Sequence, residues 1–164
     1  MNEVLNKLSS YNIFNHLFPG AVFCIIAEYI GIMPSPSDLI KQLLWYYFVG
    51  MVISRVGSII LEPILKWLSF VPHGEYSAFL RAIEADQKLE IMVEVLNTYR
   101  TLAASFLMLL IGVLLAWGGK RLGIPVEWRE HSALFGLLFL FLLSYRKQAL
   151  YVHKRVIHHE RVDQ

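Results

Sequence analysis

Two opposite charges lie inside one of the most apolar stretches of the chain. The stretch is YFVGMVISRVGSIILEP, residues 47–63, and it contains Arg55 and Glu62. Together with Ser58 these residues are spaced three and four apart, so a helix places them on one face. Ionisable groups buried in this way either line an ion path or hold neighbouring helices in one arrangement. We expect the second role, because only one Arg and two Glu occur within the apolar stretches.

Small residues accompany these charges along the same helix. Gly50, Ser54 and Ser58 recur every four residues, and small residues at this spacing let helix backbones approach closely in lipid. The polar face and the row of small residues therefore coincide. We predict that this face, with Arg55 and Glu62, packs against protein rather than lipid and holds the bundle together.

Arg55 needs a partner, since an Arg near the centre of a membrane helix costs about 2.5–3.5 kcal/mol on insertion scales. Glu62 lies two turns away on the same helix. Glu28 belongs to the preceding apolar block and differs from Arg55 in depth by roughly 10 Å, at 1.5 Å per residue. A direct pair with Glu28 would need bent helices, so we favour Glu62 over Glu28.

Backbone carbonyls are another candidate partner for Arg55. Pro19 has no N–H, so the carbonyl of Asn15 loses its helical donor, and Gly20 beside it permits a kink. An unsatisfied carbonyl in hydrocarbon is costly. Arg55 could donate to the carbonyls freed around Asn15 and His16, and this contact remains an alternative to the carboxylate pair.

The other reactive residue types show no catalytic or metal-binding pattern. Cys24 is the single cysteine, so no intrachain disulfide can form. His153, His158 and His159 lack the spaced Cys or carboxylate partners of a zinc site. The sequence shows no nucleophile with a base, no Gly-rich phosphate loop and no carboxylate pair in an aqueous cleft, so it predicts no active site. We therefore predict a non-enzymatic protein without a metal or cofactor.

The elements that must position these residues are apolar blocks. Of the 164 residues, 56% are hydrophobic and 17% charged, against about 25% charged residues in a soluble domain. The blocks have the length that crosses a bilayer as a helix, roughly 20 residues. We predict an all-α integral membrane bundle in one domain, with four transmembrane helices over about residues 13–33, 39–65, 101–117 and 132–151. The first block lacks a small-residue cleavage site, so we expect it to be retained rather than removed as a signal peptide.

The distribution of Lys and Arg predicts the orientation of the bundle. Four crossings place both termini on one side, and the side richer in Lys and Arg is the cytoplasmic one. The terminal side holds ten of the fifteen basic residues, and the opposite side holds four, which are Lys41, Lys120, Arg121 and Arg129. Both termini are therefore expected in the cytoplasm.

The segment between the second and third crossings, residues 71–100, has the pattern of helix rather than loop. Apolar residues from Leu89 to Tyr99 recur at helical spacing. We predict a cytoplasmic helical hairpin whose second helix follows Asp86 as N-cap and continues to Trp117. Its polar residues form the predicted docking surface for a soluble partner: Asp86, Lys88, Glu90, Glu94, Asn97 and Arg100.

The C-terminal end, with a basic tail over residues 152–164, is predicted to lie on anionic lipid headgroups. The residues expected to contact those headgroups are Arg146, Lys147, Lys154 and Arg155. Direct binding of nucleic acid is disfavoured, because the membrane is the nearer source of phosphate. Residues 71–100 carry a net charge of −2 and residues 145–164 a net charge of +3. These opposite charges predict that the two cytoplasmic extensions pack together.

Three short strings point to a known group of proteins: YNIFNHLFPGAVF (11–23), ISRVGSIILEPILK (53–66) and DQKLEIMVEVLNTYR (86–100). They resemble small multi-pass membrane proteins encoded in bacterial anti-phage defence loci, such as the membrane subunit of the Kiwa system. That subunit works with a soluble DNA-binding subunit. The resemblance implies a four-helix inner-membrane protein that self-assembles, senses membrane disturbance during infection and holds a cytoplasmic effector.

The function predicted from these observations is that of a non-enzymatic bacterial inner-membrane sensor or scaffold. It self-assembles into a homo-oligomer and recruits a soluble, DNA-binding partner in anti-phage defence. Two alternatives stay open. The first is an oligomeric pore that leaks ions, and the second is a small transporter, supported only by Glu28 and the Pro19-Gly20 break.

Overall fold

A computed structural model describes the backbone of residues 2–71, 78, 82, 86, 88–122 and 126–162. Side chains are described for residues 13–71, 78, 82, 86, 88–89, 91–118, 132–155 and 157. The first helix predicted in the 71–100 segment lies mostly outside these residues. So do the side chain of Glu90 and most side chains of the basic tail.

The described residues are helical, with no strand among them. Helix α1 covers Asn2–Tyr29 and helix α2 covers Leu39–Val56. A π-helical segment, Gly57–Leu61, continues α2 directly into the short helix α3, Glu62–Trp67. Two long helices follow, α4 over Lys88–Leu122 and α5 over Val126–Val162.

Local side-chain chemistry explains where two of these helices begin. The carboxylate of Asp38, which closes the PSPSD turn, accepts a hydrogen bond of 3.0 Å from the backbone N–H of Lys41. Asp86 does the same before α4, accepting from the N–H of Lys88 at 2.9 Å. Such side chains satisfy N–H groups that have no partner within the helix. The predicted capping role of Asp86 is thus observed.

Three helices are long and apolar enough to cross a membrane, namely Leu39–Trp67, Ile91–Gly118 and Ser132–Arg155. The apolar part of α1, Ile13–Tyr29, is shorter. It spans about 25 Å at 1.5 Å per residue, against a hydrocarbon core of about 30 Å. The all-helical prediction is therefore confirmed for the described residues, with three helices rather than four that meet the length for a span.

The link between the last two long helices differs from the expectation. The predicted spans end at about residue 117 and begin again at about residue 132, but α4 continues to Leu122 and α5 begins at Val126. A helix tolerates each glycine at a cost of about 1 kcal/mol, so Gly118 and Gly119 do not end α4.

The core lies among α1, α2 and α4. Helices α1 and α2 pack along each other most extensively, and α4 lies across both and against the π-helical segment. The buried apolar side chains that form one connected cluster come from these three helices: Phe23, Cys24, Ala27, Tyr46, Val49, Ile53, Ala104 and Leu109. Helix α5 contributes little to this core, and it touches only α2 and the π-helical segment to any extent.

The predicted packing of the two cytoplasmic extensions against each other is not found. Within the described residues α4 and α5 make little direct contact. Both lie instead against the α2–π–α3 helix. The physical reason is that the basic residues of both helices approach one carboxylate on that helix, Glu62, rather than one another.

Candidate functional site

Glu62 is the point at which three helices meet through charge. Its Oε1 lies 2.7 Å from Lys66 Nζ on the same helix, and its Oε2 lies 2.7 Å from Arg100 Nη1 on α4. Lys147 Nζ, on α5, lies 3.8 Å from the same Oε2. We call these four residues the Glu62 cluster, and the end of the molecule that holds them the basic end.

A free backbone carbonyl completes the cluster. In the π-helical segment the N–H of Glu62 donates to the carbonyl of Gly57, five residues back, rather than to Ser58. The next residue, Pro63, has no N–H to give, so the carbonyl of Ser58 is left without a helical donor. Lys147 Nζ fills this vacancy, at 2.6 Å from the Ser58 carbonyl oxygen and 2.8 Å from its Oγ.

The cluster carries more positive than negative charge. One carboxylate faces three cations, so its net charge is +2. The side chains of Glu62 and Arg100 are only 21% and 22% exposed, whereas Lys66 is 37% exposed. Arg100 Nε is buried with no hydrogen-bond partner among the described residues. Partial burial strengthens the attraction to Glu62, and it also leaves the excess positive charge poorly solvated.

Arg55 is not part of this cluster. Within the described residues no hydrogen bond or ion pair to its side chain is found, so the expected Arg55–Glu62 pair is absent. Both oxygens of Glu62 are taken by cations that arrive at the basic end, about 10 Å from Arg55 at the rise of a helix. The side chain of Glu28 is exposed on α1 and does not pair with Arg55 either.

A hydrogen bond from Arg55 to the carbonyls around Asn15 and His16 is not found among the described residues either. Gly50 of α2 lies against the His16 carbonyl oxygen instead. A Cβ built on Gly50 would overlap the carbonyl oxygen of His16, and a Cβ built on Gly20 would overlap the carbonyl oxygen of Tyr46. Helices α1 and α2 therefore cross backbone to backbone at these two glycines. Pro19 is fully buried beside the crossing and α1 continues through it. We call this contact the glycine crossing.

Ser54 and Ser58 do not extend the glycine crossing. Both are half-buried, and Ser58 faces Lys147 of α5 rather than α1. The close approach of α4 is made at Gly57 instead, where a Cβ would stand 3.3 Å from the Cβ of Ala104. The row of small residues thus serves contacts with two different helices, α1 at Gly50 and α5 at Ser58.

Two further contacts involving polar side chains tie α1 to its neighbours. Thr98 Oγ1 lies 2.6 Å from Asn15 Oδ1 and 3.0 Å from the carbonyl of Glu94. A hydroxyl carries a single proton, so it donates to one of these oxygens at a time. The ring of His16 packs edge-on against Tyr47, with the centroids 5.7 Å apart.

The residues expected to dock a partner do not share one face. Asp86 and Lys88 are exposed, but Arg100 points into the Glu62 cluster. Asn97 is half-buried and its carbonyl accepts from Thr101 Oγ1 at 2.8 Å. Glu94 is half-buried and takes part in an interaction. The exposed surface of this part of α4 is apolar, with Met92, Leu96 and Tyr99 between 61% and 67% exposed.

The residues expected to contact lipid headgroups also fall into two groups, one exposed and one directed into the Glu62 cluster. Arg146, Lys154 and Arg155 are exposed on α5. Lys147 instead turns toward Ser58 and Glu62, with its Nζ 5.9 Å from the centroid of the Tyr151 ring. A signal in the sequence, the absent N–H of Pro63, could have identified the Ser58 carbonyl as an acceptor.

An apolar groove of about 920 Å³ separates α2 from α5, and we call it the α2–α5 groove. It extends from Trp45 at one end of α2 to Ile64 near the Glu62 cluster, over about 28 Å of helix. On α5 it is lined from Ala133 to Leu143. Among the described side chains no three His, Cys, Asp or Glu residues come together as a metal site would require.

Comparison with protein families, with curated proteins and with solved structures finds no match to this chain. The class of protein therefore follows from the fold alone. The described residues form an all-helical protein with three helices fit to span a membrane, which is compatible with a membrane protein.

Proposed function

We propose that the chain is a non-enzymatic scaffold or sensor of the bacterial inner membrane. It crosses the membrane four times with both termini in the cytoplasm, self-assembles, and recruits a soluble cytoplasmic effector. The observation that carries this proposal is the length of α4 and α5. At 35 and 37 residues they measure about 52 and 55 Å, which exceeds the hydrocarbon core by more than about 20 Å.

Both long helices extend beyond the Glu62 cluster at the basic end. Lys88 lies about 18 Å before Arg100 along α4, and Val162 lies about 22 Å beyond Lys147 along α5. The basic end is the cytoplasmic one by its Lys and Arg content. Two helices that project into the cytoplasm supply a surface for a partner.

The position of α1 supports a fourth crossing. Gly20 in α1 lies against Tyr46 and Gly50 of α2, so the apolar segment Ile13–Tyr29 shares the depth of a helix that can span. A segment of about 17 residues is at the lower limit for a transmembrane helix.

Cysteine labelling tests the number of crossings. In a Cys24→Ser background, single cysteines replace Ser37 in the exposed turn before α2, Gln164 at one terminus, or Asn2 at the other. Four crossings predict that a membrane-impermeant maleimide labels position 37 in intact cells and labels neither terminus until the cells are opened. Labelling of one terminus alone in intact cells would show an odd number of crossings.

The exposed apolar face of α4, with Met92, Leu96 and Tyr99, is the proposed docking surface together with Asp86 and Lys88. Apolar side chains on a cytoplasmic extension favour a protein partner, because an exposed apolar patch outside lipid is otherwise unfavourable. Leu96 is 61% exposed, and Leu150 on α5 is 52% exposed and offers a matched control.

Co-purification tests the recruitment. The tagged chain, extracted from its host in mild detergent, should retain a soluble protein in fixed stoichiometry. Leu96→Asp should lose that protein while Leu150→Asp keeps it, because both changes add the same charge to an exposed helix. Loss of the partner in both variants, or retention in both, would place the docking surface elsewhere.

The role in anti-phage defence rests on the resemblance of residues 11–23, 53–66 and 86–100 to membrane proteins of defence loci. Cells that express the chain with its neighbouring genes should survive phage infection better than cells that carry Leu96→Asp. Equal plaque counts with and without the genes would remove this part of the proposal and leave the scaffold itself untouched.

A second candidate function, an oligomeric ion leak, is favoured by Arg55. This guanidinium lies within a span and has no hydrogen bond or ion pair among the described residues, and neither does His16 Nδ1. In an oligomer such groups could face water at a shared axis. Liposomes containing the protein should then leak ions at a rate that Arg55→Ala alters, whereas sealed liposomes would exclude the leak.

A further inference from the structure

The α2–α5 groove and the Glu62 cluster adjoin each other, and together they form a surface with two chemical characters. Pro63 and Ile64 line the groove next to Glu62, and Leu143 lines it one turn before Lys147. The groove is apolar along its length, while the cluster at its basic end has a net charge of +2. A ligand that fills both parts must be a long apolar molecule with an anionic group at one end.

We propose that an anionic phospholipid of the cytoplasmic leaflet binds here, with acyl chain in the α2–α5 groove and phosphate at the Glu62 cluster. The volume of the α2–α5 groove, about 920 Å³, is at the upper end of the range of roughly 300–1,000 Å³ for ligand pockets. Basic pockets between transmembrane helices at the cytoplasmic surface are typical sites for anionic headgroups. The proposal requires that α2 and α5 lie in the membrane, and the choice of the cytoplasmic leaflet rests on the orientation proposed above; it does not depend on the scaffold function.

The open side of the groove favours lipid over closure by the chain itself. Ile60 and Phe139 line the groove and remain 47% and 63% exposed. Helix α5 is held at the basic end by Lys147, which bonds to Ser58, and its contact with α2 is much less extensive than that of α1. Acyl chains are the apolar groups that a bilayer supplies to such a space, and they leave no void.

Unsatisfied positive charge favours an anionic headgroup over a neutral one. Lys147 has three N–H donors. The carbonyl oxygen and the Oγ of Ser58 accept from Lys147 Nζ, and the Glu62 carboxylate lies at a long 3.8 Å from it. Lys66 is 37% exposed and can reach a phosphate at the surface.

A second copy of the chain fits the charges less well. The chain carries a formal net charge of +2, so a copy in the groove would add positive charge overall. The acidic side chain that a second copy exposes within the apolar part of α1 is Glu28. This residue lies near the end of the bundle opposite to Arg100. An anionic lipid supplies the missing negative charge at the required depth.

Lipid retention by the purified full-length chain tests the proposal. Delipidated protein in nonionic detergent is mixed with phosphatidylglycerol, cardiolipin or phosphatidylcholine of matched acyl chains, and bound lipid is counted by native mass spectrometry. The two anionic lipids should stay bound at about fivefold lower concentration than phosphatidylcholine, as expected for one extra Lys or Arg contact. Equal retention of phosphatidylcholine would overturn the assignment of an anionic ligand.

Two glycine variants test the groove itself. Gly136 lines the groove, and a Cβ built on it meets no atom within 4 Å, so Gly136→Phe adds a ring to the groove without a backbone clash. Gly118 is equally open and lies outside the groove, so Gly118→Phe is the matched control. Only Gly136→Phe should reduce phosphatidylglycerol retention. Unchanged retention, or a lipid-free dimer that this variant disrupts, would overturn the proposal.

Two further variants test the headgroup contact independently of folding changes in the groove. Lys66→Gln and Lys147→Met should each weaken phosphatidylglycerol retention by about fivefold and leave phosphatidylcholine unchanged. Lys66 is the more exposed of the two, so its loss disturbs the packing least. If both variants retained phosphatidylglycerol as the unaltered chain does, the Glu62 cluster would not be the headgroup site.

Discussion

Helix α2 makes two contacts of opposite kind. Against α1 the backbones touch at Gly20 and Gly50, with no side chain between them. Against α5 a groove of about 920 Å³ stays open, the helix contact is sparse, and Lys147 bonds to Ser58 at one end. Shape therefore positions α1, whereas hydrogen bonds and charge position α5. The first contact should be intolerant of added atoms, and the second should respond to charge, salt and lipid.

The largest effect is expected at the glycine crossing. Gly20→Val places side-chain atoms where the Tyr46 carbonyl lies, and separating the helices should cost about 3 kcal/mol or more. Thermal unfolding in detergent should show a large drop in Tm. Gly118→Val is the control, because no atom lies within 4 Å of its Cβ position and Gly118 lies outside the groove. Equal Tm values for the two variants would show that α1 and α2 do not cross backbone to backbone.

A smaller effect is expected from removing the central charge. Glu62→Gln leaves Lys66, Arg100 and Lys147 without their carboxylate. A fully buried pair would cost about 3–5 kcal/mol to break, and the partial exposure of this cluster reduces the expected loss to about 2 kcal/mol.

Glu28→Gln is the matched control, since Glu28 is exposed on α1. The difference in Tm between the two variants should shrink as salt is raised from low to molar concentrations, because salt screens exposed charges. A difference that does not respond to salt would indicate that Glu62 acts by shape rather than by charge.

The contact of α5 offers a double-mutant test. Lys147→Met removes the donor to the Ser58 carbonyl and should cost about 1 kcal/mol. In a Pro63→Ala background the loss should be smaller, because the substituted alanine regains a backbone N–H that can satisfy that carbonyl. Additive losses in the free energy of unfolding would show that the π-helical segment does not create the acceptor.

The smallest effect is expected at the polar contact of α1 with α4. Thr98→Val removes the hydroxyl that lies 2.6 Å from Asn15 Oδ1 and should cost about 0.5–1 kcal/mol. Thr101→Val is matched, since the Thr101 hydroxyl donates to the carbonyl of Asn97 within its own helix. Equal changes in Tm would mean that the Asn15 contact adds nothing.

The sequence predicts the helices better than it predicts their contacts. Apolar blocks and the Asp86 cap are local features, so the helical class and the start of α4 follow from residue types alone. The partners of Glu62 do not follow from residue types, because Arg100 and Lys147 are 38 and 85 positions away in the chain. The packing of the helices decides which cation reaches the carboxylate. The same holds for Gly20, which the sequence shows only as a position that permits a kink and whose use in a helix crossing depends on Tyr46.

The π-helical segment Gly57–Leu61 has a consequence for changes in chain length. Each of its backbone rings holds one residue more than an α-helical ring. Deleting one residue there, such as Ile60, would convert the segment to ordinary α-helix. Pro63 and all later residues would then keep their rotational orientation about the helix axis. Elsewhere in α2 a single deletion would swing all later side chains around the axis by about 100°. This segment is thus the natural place to shorten the chain by one residue.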